Sequence, residues 1–290
     1  MPISGSTRVF FILGDPVAQV RAPALFNPLF HAHGVDAVLV PAQVAPADVV
    51  GFARQVLKAR NIDGLWLTIP HKAALLPLLD HCDALGRAAG AVNAVRRNAD
   101  GSIEGALFDG LGLAKALDHW AVPLAGQRVL LVGAGGAGMA IAASLAQRGV
   151  GALHIFDPLP GRAAEVAQRV ATALAHPAVV AAPRSDAGGF DLVINASPLG
   201  LREDDPLPFD VARLRPGAVV VDILMKPRPT PLQRACAQRG ITAWGGLEMM
   251  VQQAPDYLAF FGFADLARQA QAGLPALREQ LALSPTPQQT

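Results

Sequence analysis

Short apolar runs alternate with stretches of helix-spaced apolar positions along nearly the whole chain, the pattern of successive β–α units. Residues 8–13 (RVFFIL) predict a strand ending at the turn Gly14-Asp15-Pro16. Residues 23–33 predict a helix with Leu25, Leu29 and Phe30 on one face, and residues 37–40 a second strand. A helix over 47–60 carries Val49, Val50, Phe52, Val56 and Leu57, and a third strand, 62–68, is broken by Pro70 and followed by a short helix over 73–79. Strand–helix alternation of this kind predicts a parallel sheet. Residues 91–97 and 102–105 flank Asn98-Ala99-Asp100-Gly101 and predict a hairpin.

The second half repeats the rhythm. A helix over 111–120 leads through Pro123 to strands at 129–132, 152–156, 192–196, 218–222 and 241–243, with a helix over 231–239 stopped by Gly240. Beyond Gly245-Gly246 the pattern is helical. Between the first two of these strands lies Gly133-Ala134-Gly135-Gly136-Ala137-Gly138, which opens an Ala-rich helix over 139–147 that Gly149 ends. A G-x-G-x-x-G that follows a strand, opens a helix and is trailed roughly 20 positions on by an acid, here Asp157, meets the context of a dinucleotide fingerprint. Glycines let the backbone turn and approach a pyrophosphate without a Cβ in the way, and the helix start supplies N–H groups and a positive dipole. Asp157 is placed to accept hydrogen bonds from the adenine ribose hydroxyls. The fold expected is α/β in two domains: an N-terminal α/β domain over 1–110 completed by 246–283, and a Rossmann-type doubly wound nucleotide-binding domain over 111–245.

Composition narrows the function classes. Across 290 residues the net charge is +1 and charged residues make up only 16%, so no broad field points to nucleic acid or an anionic membrane. Hydrophobic content of 52% with 6% aromatic implies a core of Ala, Val and Leu. The uncharged run around 129–147 is interrupted by a glycine turn and is not read as a membrane span. Cys82 and Cys236 have neither C-x-x-C nor zinc spacing, and the histidines show no metal spacing. Buried thiols in a reducing compartment are expected. The apolar run over 9–13 is too short for a signal peptide, so the protein is read as cytoplasmic. The polar tail 284–290 is expected to be disordered.

Further motifs fall in a fixed order: LTIPHK (67–72), GAVNAV (90–95), FDGLG (108–112), NASPLG (195–200) and GGLEMMVQQA (245–254). Together they resemble the shikimate/quinate dehydrogenase superfamily from Gly14 to Ala254. The resemblance implies a substrate domain and a nucleotide domain with a cleft between them, and hydride transfer between nicotinamide and a ring carbon. It places the catalytic residues at Lys72 and Asp109, and substrate contacts at Thr68, Asn93 and Gln253. Cofactor contacts fall on the glycine loop, Asp157, Asn195, Ala196, Ser197 and Gly246. A Lys beside a carboxylate can take up a hydroxyl proton and return it in the reverse reaction. His71 beside Lys72 is read as a bystander.

The chain also departs from the family. Val20 and Ala22 stand where a Ser-x-Ser pair usually holds the substrate carboxylate, and Trp66 stands in place of an Asn. Met225 replaces a Tyr and Phe108 a Thr. Losing two hydrogen bonds to a charged group costs roughly 3–6 kcal/mol. Arg21, in an extended segment, points away from Val20 and Ala22. The substrate pocket is therefore expected to be apolar and bulky, lined by Val20, Ala22 and Trp66 besides the retained contacts. At the cofactor end, Asp157-Pro158 replaces an Arg-bearing segment typical of NADP users, which favours NAD, with NADP as the alternative through Arg162. The expectation is an NAD-dependent oxidoreductase acting on a small-molecule cyclic polyol-like substrate. Its rivals are a true shikimate or quinate dehydrogenase and a nucleotide-binding regulatory protein without turnover. Neither monomer nor homodimer is favoured by the sequence.

Overall fold

The computed structural model describes residues 3–226 and 228–283, and the expected disordered tail over 284–290 lies outside them. The chain divides into two compact units, one of residues through Phe108 together with those from Met250, the other Asp109–Met249.

The first unit is built on β1 (Arg8–Gly14), α1 (Ala22–Ala32), β2 (Ala37–Gln43), α2 (Val49–Val56), β3 (Ile62–Leu67), β4 (His81–Cys82), α3 (Ala84–Ala89), β5 (Ala94–Arg97) and β6 (Ile103–Ala106). Its sheet runs β2-β1-β3-β5-β6-β4. Only part of it is parallel: β1 pairs parallel with β2 and β3, whereas β5 is antiparallel to both β3 and β6. A short turn can only return the chain antiparallel, so the hairpin inserts itself into an otherwise parallel sheet. The helix expected over 73–79 is instead two single 3₁₀ turns, His71–Ala73 and Leu76–Leu78. Pro77 has no N–H to continue an α ladder. The second helix is also shorter than its apolar pattern suggested.

The second unit carries α4 (Asp109–His119), β7 (Arg128–Val132), α5 (Gly136–Gln147), β8 (Ala152–Phe156), α6 (Arg162–Ala173), β9 (Val179–Ala181), β10 (Leu192–Asn195), β11 (Val219–Asp222), α7 (Pro231–Ala237) and β12 (Thr242–Gly245). All its strands are parallel, in the order β12-β11-β10-β7-β8-β9. The chain winds outward from β7 and then restarts at β10, so the order reverses between those two strands. Ligands of such sheets sit at the carboxyl ends beside that reversal. Uncharged runs of Val, Leu and Ile explain the central strands: Val129–Val132 of β7 and all of β10 are buried, as strands covered on both faces must be.

The division falls within α8 (Leu247–Phe260), which is followed by α9 (Ala264–Ala272) and α10 (Leu274–Leu283). In the first unit these helices close an aromatic core. Trp66 stacks on Tyr257 (centroids 5.3 Å apart) and on Phe261 (4.1 Å), and meets Phe10 and Phe26 edge-on. Gly64 makes this approach feasible, because a Cβ there would lie 2.2 Å from the Phe261 ring. No helix among the described residues is long and apolar enough to cross a membrane.

Two outcomes follow from this packing. Gly64→Ala should lower the urea midpoint by the equivalent of about 1–3 kcal/mol; an unchanged midpoint would mean that Phe261 gives way freely. Asp222 is fully buried, accepting from Thr230 Oγ1 at 2.6 Å and Asn195 Nδ2 at 3.0 Å, and burial pushes its pKa above the usual carboxylate range. The native state then keeps this proton to higher pH than the unfolded chain, whose Asp titrates at about 3.9. Stability should fall as pH rises from there through the raised native value. Asp222→Asn removes that fall, so melting curves of the two proteins should diverge across the window; parallel curves would contradict it.

Candidate active site

The glycine loop occupies the reversal point of the second sheet, and its three glycines do three different things. Gly133 has φ +104°, and a Cβ on it would lie 2.6 Å from the backbone of Ala196 and of Ser197, so the turn passes directly against the end of β10. Gly138 lets α5 settle on the loop, since its Cβ would meet the Gly133 carbonyl at 2.0 Å. Gly135, between them, faces open space. The first intrahelical bond here is Met139 N to Gly135 O, at 2.8 Å, so the N–H groups of Gly136, Ala137 and Gly138 precede the ladder and face outward from the helix start. A tight turn, an open approach and a close helix contact are what a pyrophosphate cradle requires. These residues fit a nicotinamide dinucleotide.

Other predicted cofactor residues have structural duties. Asp157 Oδ2 accepts from Ala134 N at 2.8 Å and Oδ1 from Leu159 N at 2.9 Å. The carboxylate thus ties the glycine loop to the end of β8, and a ribose diol would use its remaining lone pairs. Asn195 was expected to contact the cofactor, but its side chain is wholly engaged within the protein. Its Nδ2 donates to Leu199 O and Asp222 Oδ1, and its Oδ1 accepts from Ser197 N and Oγ. With all amide capacity used and no exposure, it shapes the loop that holds Ala196 and Ser197 rather than presenting a donor. Gly246 is likewise a packing glycine, because a Cβ there would lie 1.9 Å from Ile223 O.

In the first unit, the loops leaving β1 and β3 meet. Thr68 N donates to Leu13 O at 2.9 Å and Asp15 N to Ile69 O at 3.0 Å. Lys72 is half-buried in the 3₁₀ turn beyond Thr68, and its carbonyl accepts from Val92 N at 2.7 Å. His71 is not a mere bystander in packing terms: it is buried, with Nε2 2.8 Å from Val44 O, and so fixes the turn carrying Lys72. Asn93, fully buried, donates its N–H to Ala106 O, and its carbonyl accepts from Leu67 N and Tyr257 Oη. Its Oδ1 accepts from Phe108 N at 2.9 Å, immediately before Asp109. Asn93 Nδ2 and Gln253 Oε1 are both buried and find no hydrogen-bond partner among the described residues. Asp109, itself buried, is the first residue of α4, where the helix dipole favours a carboxylate.

Two expectations about the substrate side are corrected. Trp66 does not line a pocket; it is 2% exposed and belongs to the aromatic core. Arg21 is not in an extended segment. It is buried with helical backbone at the start of α1, and its Nη2 donates to Leu281 O at 2.7 Å, docking α10. Burial holds its pKa below the ordinary arginine value. Ala22 is buried in the first turn of α1 and Val20 half-buried before it. Phe108 packs edge-on against Tyr257 and Phe260.

Known proteins match this arrangement. Residues 12–95 fit the shikimate dehydrogenase substrate binding domain. A shikimate dehydrogenase (NADP(+)) of Rubrobacter xylanophilus is 36% identical over 254 residues, covering 87% of this chain and 89% of the relative. The quinate dehydrogenase of Corynebacterium glutamicum, solved in complex with NAD, superposes with a TM-score of 0.82 at 28% identity, over 94% of this chain and 98% of that one. A 5-ketofructose reductase from Gluconobacter superposes with a TM-score of 0.75 at 26% identity, over 93% and 99% of the two chains. With the substrate-domain match and a relative alike along most of both lengths, the chain belongs to the shikimate dehydrogenase family of oxidoreductases.

Proposed function

We propose that this protein is an NAD-preferring dehydrogenase of a cyclic polyol-like alcohol that lacks, or binds without, the ring carboxylate of shikimate. The observation that carries the reading is Asn93. It is held on every backbone group, bonded through Oδ1 to the residue before Asp109, and left with a buried Nδ2 donor that no described protein atom accepts. A buried unpaired donor is costly, and a substrate hydroxyl or carbonyl oxygen would satisfy it. Gln253 Oε1 is the complementary acceptor.

In the oxidative direction Lys72 takes the proton from the substrate hydroxyl oxygen, and in the reductive direction it returns a proton to the carbonyl oxygen. Asp109 is the carboxylate assigned to the same proton transfer. Asn93 and Gln253 fix the hydroxyl that reacts and its neighbour. A bound nicotinamide dinucleotide supplies the hydride acceptor or donor, and the glycine loop with Asp157 would hold it. Val20 and Ala22 offer no hydroxyls to a carboxylate, and Arg21 is buried with its Nη2 donating to Leu281 O. That a 5-ketofructose reductase shares the fold supports a carboxylate-free substrate, and the quinate dehydrogenase solved with NAD supports the cofactor preference. The second reading is an NADP-dependent shikimate dehydrogenase, favoured by the name of the Rubrobacter relative.

Initial rates with shikimate and with quinate, each with NAD⁺ and NADP⁺, separate the two. Negligible turnover of both acids in protein that binds NAD⁺ supports the first reading; good turnover of shikimate with NADP⁺ establishes the second. Lys72→Ala should lower kcat by about a hundredfold or more and leave dinucleotide affinity within about twofold; equal loss of both would remove Lys72 from the proton transfer. Asp157→Ser with Pro158→Arg keeps an acceptor for Ala134 N while adding a cation, and should move the NADP⁺/NAD⁺ ratio of kcat/KM upward by about tenfold, on the scale of one good charge-assisted hydrogen bond. No change would mean that Asp157 does not face the ribose.

A further inference from the structure

We propose that the end of the first unit's sheet remote from Thr68 is a second small-molecule site, taking a phosphorylated or multiply carboxylated compound with an apolar body. Two adjoining hollows, of about 330 and 420 Å³, share Arg97 and Gly101. Arg60 enters the first and Arg54 and Lys58 the second. The chain as a whole is nearly balanced, with 24 Lys and Arg against 23 Asp and Glu, yet four cations and no carboxylate line this surface. Acids close by in the sequence are bonded elsewhere: Asp80 accepts from Ile103 N, Asp100 from Ser102 N and Oγ, Glu104 pairs with Arg96 and Asp63 with Arg8. None of the four cations lies in an ion pair among the described residues; Lys58 donates to Gln55 Oε1, and Arg97 makes a long 3.5 Å contact to Ala59 O.

The placement follows from the topology. Arg60 precedes β3 and Thr68 follows it, so the strand, six residues long, separates the hollows from the Lys72 turn by about 20 Å. Arg97 ends antiparallel β5 at the same edge, while Arg54 lies in the last turn of α2 and Lys58 in the turn just beyond it. Leu57 and Leu78 give the second hollow an apolar side. Like charges so grouped repel unless an anion or solvent neutralises them, and arginines favour planar, bidentate phosphate or carboxylate. Apolar wall and polyanionic grip together specify the ligand class.

Titration calorimetry with 1-naphthyl phosphate, 1-naphthol and inorganic phosphate tests this, with saturating NAD⁺ occupying the glycine loop. The aryl phosphate should bind about tenfold more tightly than either fragment, weaken with added salt, and lose about tenfold in affinity in Arg54→Glu/Arg60→Glu. Both side chains are exposed, and the milder Arg54→Gln/Arg60→Gln should lose less, with melting temperatures unchanged. Equal affinity in wild type and both variants, or no saturable binding at several millimolar, overturns the site. Neither reading depends on turnover, so the roles given to Lys72 and Asp109 stand or fall separately.

Discussion

One buried amide organises the first unit. Asn93 joins β3 through Leu67, the hairpin through Ala106, α8 through Tyr257, and the approach to Asp109 through Phe108. Every group it spends on the protein is a backbone partner or an aromatic hydroxyl, so the framework tolerates wide changes in side chains without losing this junction. What is left, one amide donor, faces no acceptor among the described residues. A donor held this way is positioned by its neighbours, and an incoming acceptor would relieve its polar cost.

The second unit depends on contact distance instead of polar bonding. Gly133 and Gly138 bring β7, the end of β10 and α5 closer than any side chain allows. The Asn195–Asp222–Thr230 chain then fixes the ends of β10 and β11 and the start of α7. Asp157 couples the next strand end to Ala134. The carboxylate thereby holds the loop, and a substitution there disturbs the cradle unless an acceptor for the Ala134 N–H is kept.

These two modes explain what was legible in the sequence. Glycine positions are forced by backbone geometry, so the fingerprint and its strand–helix context could be read directly. Parallel pairing could be read from alternation, but the antiparallel insertion of β5 depends on which edge the hairpin joins, a long-range choice that no local pattern encodes. Residues 162–173 and 84–89 form helices that were not expected, the latter stopped by Gly90 in the left-handed region and started by Asp83, which accepts from Gly86 N. Trp66 shows the harder limit. Its identity announces bulk, but whether bulk fills a pocket or a core depends on Tyr257 and Phe261, nearly two hundred residues away in the chain. Asn195 poses the same problem, since a polar residue at a strand end suggests a ligand until its four bonds are counted.

The two segments that the family resemblance singles out on the substrate side are held in different ways. Lys72 and Asn93 sit where strand ends and turns are bonded backbone to backbone, so main-chain bonds hold both positions. The segment holding Val20 and Ala22 is attached differently, through the insertion of α1 into the core and the Arg21–Leu281 bond. Its short side chains make none of the hydrogen bonds that join β1, β3 and β5, so the segment can change without breaking those bonds. Arg21 marks the limit of that freedom. Its guanidinium is buried and donates to Leu281 O, so replacing it would remove a bond to the helix that closes the unit.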